Sequence, residues 1–293
     1  MNNTLNIAVL SLRPRSFSNR RIIEAANARG HSITFLNTLR ARITDSPETS
    51  LNTDQTSILE FDAVIPRIGT PLTDIGISYL RQFEAAGIFS TASSQGIYLS
   101  RDKLLAIQTL KSNGLSVPKT VTIASNKNVE EAIAYVGGAP LIIKLLKGSQ
   151  GRSVILSETH MSAKSLIETL VNMREAFIIQ EFIKESSGSD IRILVVDGKV
   201  VGSMKRTSGE GDFRSNLHRG GSAKNIDITT EEHDAAIKSA QVLGLNVAGI
   251  DILRSNTGPK VLEVNSSPGL QGIETATGKD IAGKIIRSIE ANV

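Results

Sequence analysis

The chain has 293 residues, 40% hydrophobic and 21% charged, enough to bury a sizeable core divided over two or three domains. It contains no cysteine, which excludes disulfides, thiolate zinc sites and a cysteine nucleophile, and which fits a cytoplasmic protein. With 33 Lys+Arg against 29 Asp+Glu the net charge is +4, suited to phosphate-bearing or acidic ligands; with aromatics at 4% it falls short of a nucleic-acid-binding signature.

In chain order, residues 5–12 (LNIAVLSL) read as a buried first strand. No basic region precedes this run, so it does not read as a signal peptide. A helix over about 17–29 closes at Gly30, and HSITFLN follows as a strand. FDAVIPRIG is a third strand and LTDIGISYLRQFEAAG a helix ending at Gly87. Strands alternating with helices over residues 1–100 predict a small parallel α/β layer. Arg13, Arg15, Arg20 and Arg21 near its start could meet an acidic ligand, though a solvated helix face is the commoner reason for each.

From residue 101 the texture changes. RDKLLAIQTLKSNGL is a helix ending near Gly114, VPKTVTI a strand, VEEAIAYVGG a helix, and PLIIKLLKGSQGRSVILS two strands about a loop. The apolar run at 140–146 is far too short to cross a bilayer. A helix over roughly 161–173 leads to the strand AFIIQEFI. DIRILVVDGKVVGSMKR is a hairpin about Asp197-Gly198, and TEEHDAAIKSAQVLGL a helix capped by Thr229 or Thr230. VAGIDILRSNTGPKVLEVN is a second hairpin, and a last helix starts near 279. Hairpins and helices without strict alternation predict an α+β region.

The second hairpin carries the sharpest chemical signal. Glu263 and Asn265 interrupt an apolar strand two residues apart, so both project from one face. A turn near 255–258 sets Asp251 across from Glu263, and Arg254 across from Lys260. Two carboxylates and an amide on one face suit a hard cation completed by substrate phosphates; a face open to water is the alternative. Upstream, Lys144 precedes a loop with Gly148 and Gly151, whose backbone could approach phosphate or simply join two strands. Asp190 and Arg192 open an apolar strand, where a salt bridge between them is the plain reading. GDFRSNLHRGG, 211–221, is a poorly periodic loop that could clamp an anion. His31, His160, His218 and His233 show no paired metal spacing, and no serine or cysteine nucleophile pattern is present.

Taken in order, RDK, LIIKLLKGSQGRSV, QEFI, SDIR, RSNLHRGG, GIDIL and LEVNSSPG resemble an ATP-grasp ligase, and within that superfamily the RimK group of ribosomal-protein glutamate ligases. The resemblance covers nearly the whole chain. It implies a pre-ATP-grasp α/β domain over 1–100, a middle lid part over 101–183 and a C-terminal catalytic part over 184–293. It further implies that Lys103 and Lys144 contact the ATP phosphates, and that the loop bearing Gly148, Ser149 and Gly151 closes over them. Gln180, Glu181, Phe182 and Ile183 would form the hinge that holds adenine, and Asp190 would sit near the ribose. Arg214, Ser215 and Asn216 would line the transferred-phosphate side, with Arg214, Asn216 and Lys144 serving catalysis. Asp251, Glu263 and Asn265 would bind Mg²⁺ or Mn²⁺, as two ions.

The activity so implied is ATP-dependent ligation of L-glutamate to the C-terminus of the sixth small-subunit ribosomal protein, or to a growing glutamate chain. An acyl phosphate is the intermediate, and the family implies a cytoplasmic homotetramer with no direct nucleic-acid or membrane partner. Two alternatives stay open: a related ligase acting on an amino-group carrier protein of lysine or arginine biosynthesis, and a nucleotide-binding protein without turnover. Arg214 ahead of Ser-Asn leans toward the RimK group.

Overall fold

The computed structural model describes residues 4–46, 57–146, 154–209 and 220–293. Its chain begins with β1 (Asn6–Leu10), α1 (Phe17–Asn27), β2 (Ser32–Leu36), β3 (Ala63–Pro66), α2 (Thr73–Ala85) and β4 (Phe89–Ser90). The four strands form a parallel sheet in the order β2-β1-β3-β4, as the alternation of strands and helices predicts. Ile7 to Leu10 are fully buried because helices cover both faces of a parallel sheet. Ser16 caps α1, and Gly30 (φ 81°) supplies the left-handed turn after it.

The RDK segment is not one helix. α3 (Ser94–Arg101) and α4 (Lys103–Ser112) are separated by Asp102, which is extended (φ −87°, ψ 112°). Its carboxylate accepts from Leu104 N and Leu105 N, so a strong N-cap starts a new helix where periodicity alone runs on. The break sends Arg101 and Lys103 to different layers. Arg101 donates to Thr70 Oγ1 and Ile68 O, beside the parallel sheet, while Lys103 donates to Leu146 O.

Next come β5 (Thr120–Val121), α5 (Val129–Tyr135), β6 (Leu141–Leu145), β7 (Val154–Ser157), α6 (His160–Asn172) and β8 (Phe177–Glu181). The strands form an antiparallel sheet, β5-β8-β6-β7, backed by α5 and α6 over a core of its own around Ile133, Ile143, Ile167 and Phe177. The expected strand at 117–123 shrinks to Thr120 and Val121.

The third unit holds β9 (Ser189–Val196), β10 (Lys199–Thr207), β11 (Ser222–Asn225), α7 (Thr230–Val242), β12 (Val247–Ser255), β13 (Gly258–Asn265), α8 (Gln271–Thr277) and α9 (Ile281–Asn292). Its sheet is antiparallel in the order β11-β10-β9-β12-β13. Asp197 and Gly198 both have positive φ (52° and 65°), as a two-residue hairpin turn requires. Thr229 caps α7 in a capping box with Glu232. The helices α8 and α9 cover one face, sharing a core with α1 and β1 that includes Ile7, Ile22, Leu194, Ile281 and Ile286. A second core joins the other face of the parallel sheet to α4, α7 and the far side of β9 and β12. The first and third units are thus packed as one block, and the middle sheet stands over it.

Candidate active site

The site is built on one face of the third sheet. Cross-strand partners share a face, and three charged pairs lie here: Asp190 opposite Arg206, Arg192 opposite Asp251, and Asp251 opposite Glu263. The expected Asp251–Glu263 pairing is therefore the observed register. Arg254 faces Pro259 and not Lys260, because a bulge at Leu262 inserts one residue between the metal-side pairs and the turn.

Asp251, 3% exposed, accepts a bidentate pair from Arg192 (Nε to Oδ1 2.7 Å, Nη2 to Oδ2 2.6 Å). Arg206 Nη2 lies 2.9 Å from the same Oδ2, and Arg206 Nε donates to Asp190 Oδ1 at 2.7 Å. With its amide oriented to satisfy both groups, Asn265 donates to Glu263 Oε1 (3.1 Å) and accepts from Arg192 Nη2 (3.0 Å). Burial alone would raise Asp251; the charges of Arg192 and Arg206 outweigh it and hold the carboxyl below the usual range. One sequence expectation changes. Asp190 does not pair with Arg192: it is buried against Arg206, its partner across β9 and β10.

Above this face, Lys144 projects from β6 of the middle sheet. Burial pushes Lys144 down to about 8, with Lys103 lowering it further and Glu263 and Asp251 opposing. Lys144 thus senses the charges of Lys103, Glu263 and Asp251. Arg67, at the carboxyl end of β3, and Arg101 approach from the third side. Burial and the charge of Arg101 push Arg67 down to about 10; burial also lowers Arg101, against the pull of Glu263. Neither arginine was singled out from the sequence. The signal was position: the carboxyl ends of strands in a parallel sheet are where ligands bind.

At the hinge a cavity of about 310 Å³ lies between the two antiparallel sheets, lined by Glu181, Phe182, Ile183, Lys184 and Glu185 and by Ser255, Asn256, Thr257 and Lys260. Glu181 is held there by Lys119 N (3.0 Å) and Lys260 Nζ (3.3 Å). Gln180 is not part of the wall: it is 1% exposed and its amide donates to Thr120 Oγ1 within the sheet.

The oxygen set is of the kind a hard cation takes, with Glu263 the accessible member. Glu263 is exposed and uses one carboxylate oxygen on Asn265, while Asp251 lies directly across the strand pair with both its oxygens engaged by Arg192 and Arg206. Among the described residues no cluster of three acidic or imidazole ligands exists, so an ion here would need oxygens from a bound phosphate to complete its shell. Gly148, Ser149, Gly151, Arg214, Ser215, Asn216 and His218 lie outside the described residues. The other histidines are away from the site, pairing with acidic neighbours: His31 with Glu290, His160 with Glu130 and His233 with Asp234. Arg21 is a structural clip, bonded to Glu24, Glu274 and Asp280, and ties α1 to the C-terminal helices.

Comparison with known proteins agrees with this geometry. Residues 100–289 match the RimK-like ATP-grasp domain, and residues 5–97 the RimK pre-ATP-grasp domain. A protein of Halorhodospira halophila named "probable alpha-L-glutamate ligase" is 51% identical over 291 residues, covering 98% of this chain and 96% of that protein. One of the same name from Aeromonas salmonicida is 50% identical, with the same coverage. Among solved structures, the ATP-grasp ligase PsnB with a minimal precursor superposes with a TM-score of 0.78 at 22% identity, covering 99% of both chains. PsnB with that precursor, Mg and ADP gives 0.76 at 22% identity and 97% of both chains. At that identity the likeness speaks for the fold alone, whereas the family matches and the relatives span almost the entire chain. The protein belongs to the RimK-like ATP-grasp family.

Proposed function

We propose that the protein is an ATP-dependent acid–amino-acid ligase that joins L-glutamate to a protein C-terminus, that of the sixth small-subunit ribosomal protein, and extends the product into short glutamate chains. Two observations support this reading: Lys144 lies within electrostatic reach of Lys103, Asp251 and Glu263, and the hinge residues Glu181, Phe182 and Ile183 line a cavity between the two antiparallel sheets. A nucleotide seated at Glu181–Ile183 would direct its phosphates toward the lysines. The names of the relatives support L-glutamate as the amine.

In this reading a substrate carboxylate attacks the γ-phosphate, giving an acyl phosphate and ADP. The glutamate amine then attacks the acyl carbon, and phosphate leaves as the amide forms. Lys103 and Lys144 neutralise the transferred phosphoryl group, joined by Arg214 and Asn216, with Ser215 and the loop of Gly148, Ser149 and Gly151 closing the phosphate side. Asp251, Glu263 and Asn265 would hold Mg²⁺ or Mn²⁺, which would supply neutralisation of charge on the phosphate oxygens. Arg192 and Arg206 fix the Asp251 carboxylate. We assign the parallel layer over 1–100, the lid over 101–183 and the catalytic part over 184–293 to a cytoplasmic homotetramer.

The test is ADP release from purified protein with ATP, Mg²⁺ and L-glutamate, with and without the ribosomal protein, followed by mass spectrometry of the acceptor. Added mass in glutamate units is expected. No ADP under any of these conditions would remove the ligase reading.

A further inference from the structure

Arg67 and Arg101 form a cationic pair to which the reading above gives no task. Arg67 Nη1 donates to Pro268 O at 2.7 Å, and Ser267 Oγ donates to Pro66 O at 3.0 Å, so the end of β3 is fastened to the stretch that follows Asn265. Arg101 Nη2 donates to Ile68 O at 2.6 Å and Nη1 to Thr70 Oγ1 at 2.9 Å. The pair therefore lies on the side of the parallel sheet, beside the stretch that follows Asn265, with Arg101 in electrostatic reach of Glu263.

All of these acceptors are uncharged. Among the described residues neither arginine makes an ion pair, and most of the N–H groups of both guanidinium groups have no protein acceptor. Both side chains are only half-buried, so solvent reaches them, yet they are crowded enough that burial and mutual repulsion weaken their hold on the proton. Two desolvated like charges side by side are costly unless an anion comes between them. Glu263 is the acidic group whose charge Arg101 senses, and a cation bound to Glu263 would cancel that compensation. The balancing anion then has to arrive with the substrate.

We propose that Arg67 and Arg101 are the anchor for a substrate carboxylate, holding it beside the Glu263–Asn265 end of β13. The inference rests on the ligase reading. Chemistry divides the cations of the cleft: ammonium groups act as point charges and meet phosphate from the lid side, whereas guanidinium forks match the two oxygens of a carboxylate. The carboxylate has two possible sources, the incoming amino acid or the C-terminus of the acceptor, and both react at this end of the cleft.

Calorimetric binding to the full chain, with Mg²⁺ and a non-hydrolysable ATP analogue present, separates them. The probes are L-glutamate and a di-glutamate peptide, and the proteins are wild type, Arg67→Lys, Arg101→Lys and Arg101→Gln. Affinity for one probe is expected to fall roughly 10-fold or more in the variants, with the analogue bound as tightly as before. Loss confined to L-glutamate assigns the amino-acid carboxylate; loss confined to the peptide assigns the acceptor. Weakened binding of the analogue alone would make the pair a phosphate site and overturn the proposal, as would unchanged binding of both probes. Wild-type protein that takes up neither probe also overturns it. If Arg101→Gln does not fold, the lysine variants, which keep the charge, decide. ADP release by the wild type judges the ligase reading separately, so the two can fail independently.

Discussion

Arg192 on β9 and Asp251 on β12 face each other across the sheet, and the guanidinium grips both carboxylate oxygens, at 2.7 and 2.6 Å. Arg206 in turn bridges Asp251 on one side and Asp190 on the other, so an alternating chain of charge runs across three strands. The arrangement holds the buried Asp251 ionised, directly across the strand pair from Glu263.

Removing the middle of that chain should be costly. Arg206 is 5% exposed, so Arg206→Met leaves two buried carboxylates short of a partner, at a cost of about 3–5 kcal/mol. Urea denaturation at pH 7 reads the loss. Asp251 is depressed in the folded state, so the stability it contributes is present above its ordinary value near 3.8 and disappears as pH falls toward the folded value. The variant should therefore lose stability at neutral pH and show a weaker dependence on acid. An unchanged urea midpoint would contradict the network's role.

Glu263→Ala and Asn265→Ala test the cation assignment. Glu263 is exposed, so the fold should change by less than about 0.5 kcal/mol while ADP release falls roughly 100-fold or more. Chelation of the wild type should abolish turnover and added Mg²⁺ restore it. Near-normal activity in either variant would end the assignment.

Lys144 carries a pH signature. Its charge fades as pH rises through about 8, so affinity of the free protein for ATP should decline on the alkaline side. Lys144→Arg should keep binding flat through that range, because a guanidinium stays charged. Since burial disfavours the lysine's charge, Lys144→Met should raise the thermal midpoint at pH 7, by roughly 2–4 °C, while weakening ATP binding. Fluorescence titration from pH 7 to pH 9.5 and a thermal melt check both parts.

Gly249 lies opposite Asn265, and a Cβ added there would come within 2.9 Å of Pro268 Cβ. The proline ring cannot swing away as a flexible side chain would, so Gly249→Ala should cost about 1–3 kcal/mol. By displacing Pro268 it should also loosen Arg67 and reduce turnover. A melt and an ADP-release assay on one preparation suffice.

Much of this architecture was readable before any coordinates. Strand alternation and the Asp197-Gly198 turn located the third sheet's hairpins, because a period of two and a left-handed turn are local properties. Asp251 opposite Glu263 is also the expected partnership, but counting from the observed Ser255–Gly258 turn would set Asp251 against Leu262, and it is the bulge that brings Glu263 into that place. The bulge at Leu262 escaped that counting: nothing in the residues marks where one strand takes an extra one. The break at Asp102 escaped as well, because a cap and a helix interior differ only in backbone angles.

The sequence by itself determined most of the longer elements, the pairing of Asp251 with Glu263 on one face with Asn265, and the order of motifs that identifies the family. Only the tertiary structure decided what those groups touch. Asp190 meets Arg206 instead of Arg192 because pairing across β9 and β10, and not nearness in the chain, sets its neighbour. Arg67 and Pro268, 201 residues apart, meet because the parallel sheet shares its core with the C-terminal helices. Local patterns record which face of an element is apolar. Which faces are buried against one another, and hence which charges are left to share a cleft, is settled by the packing of the whole chain.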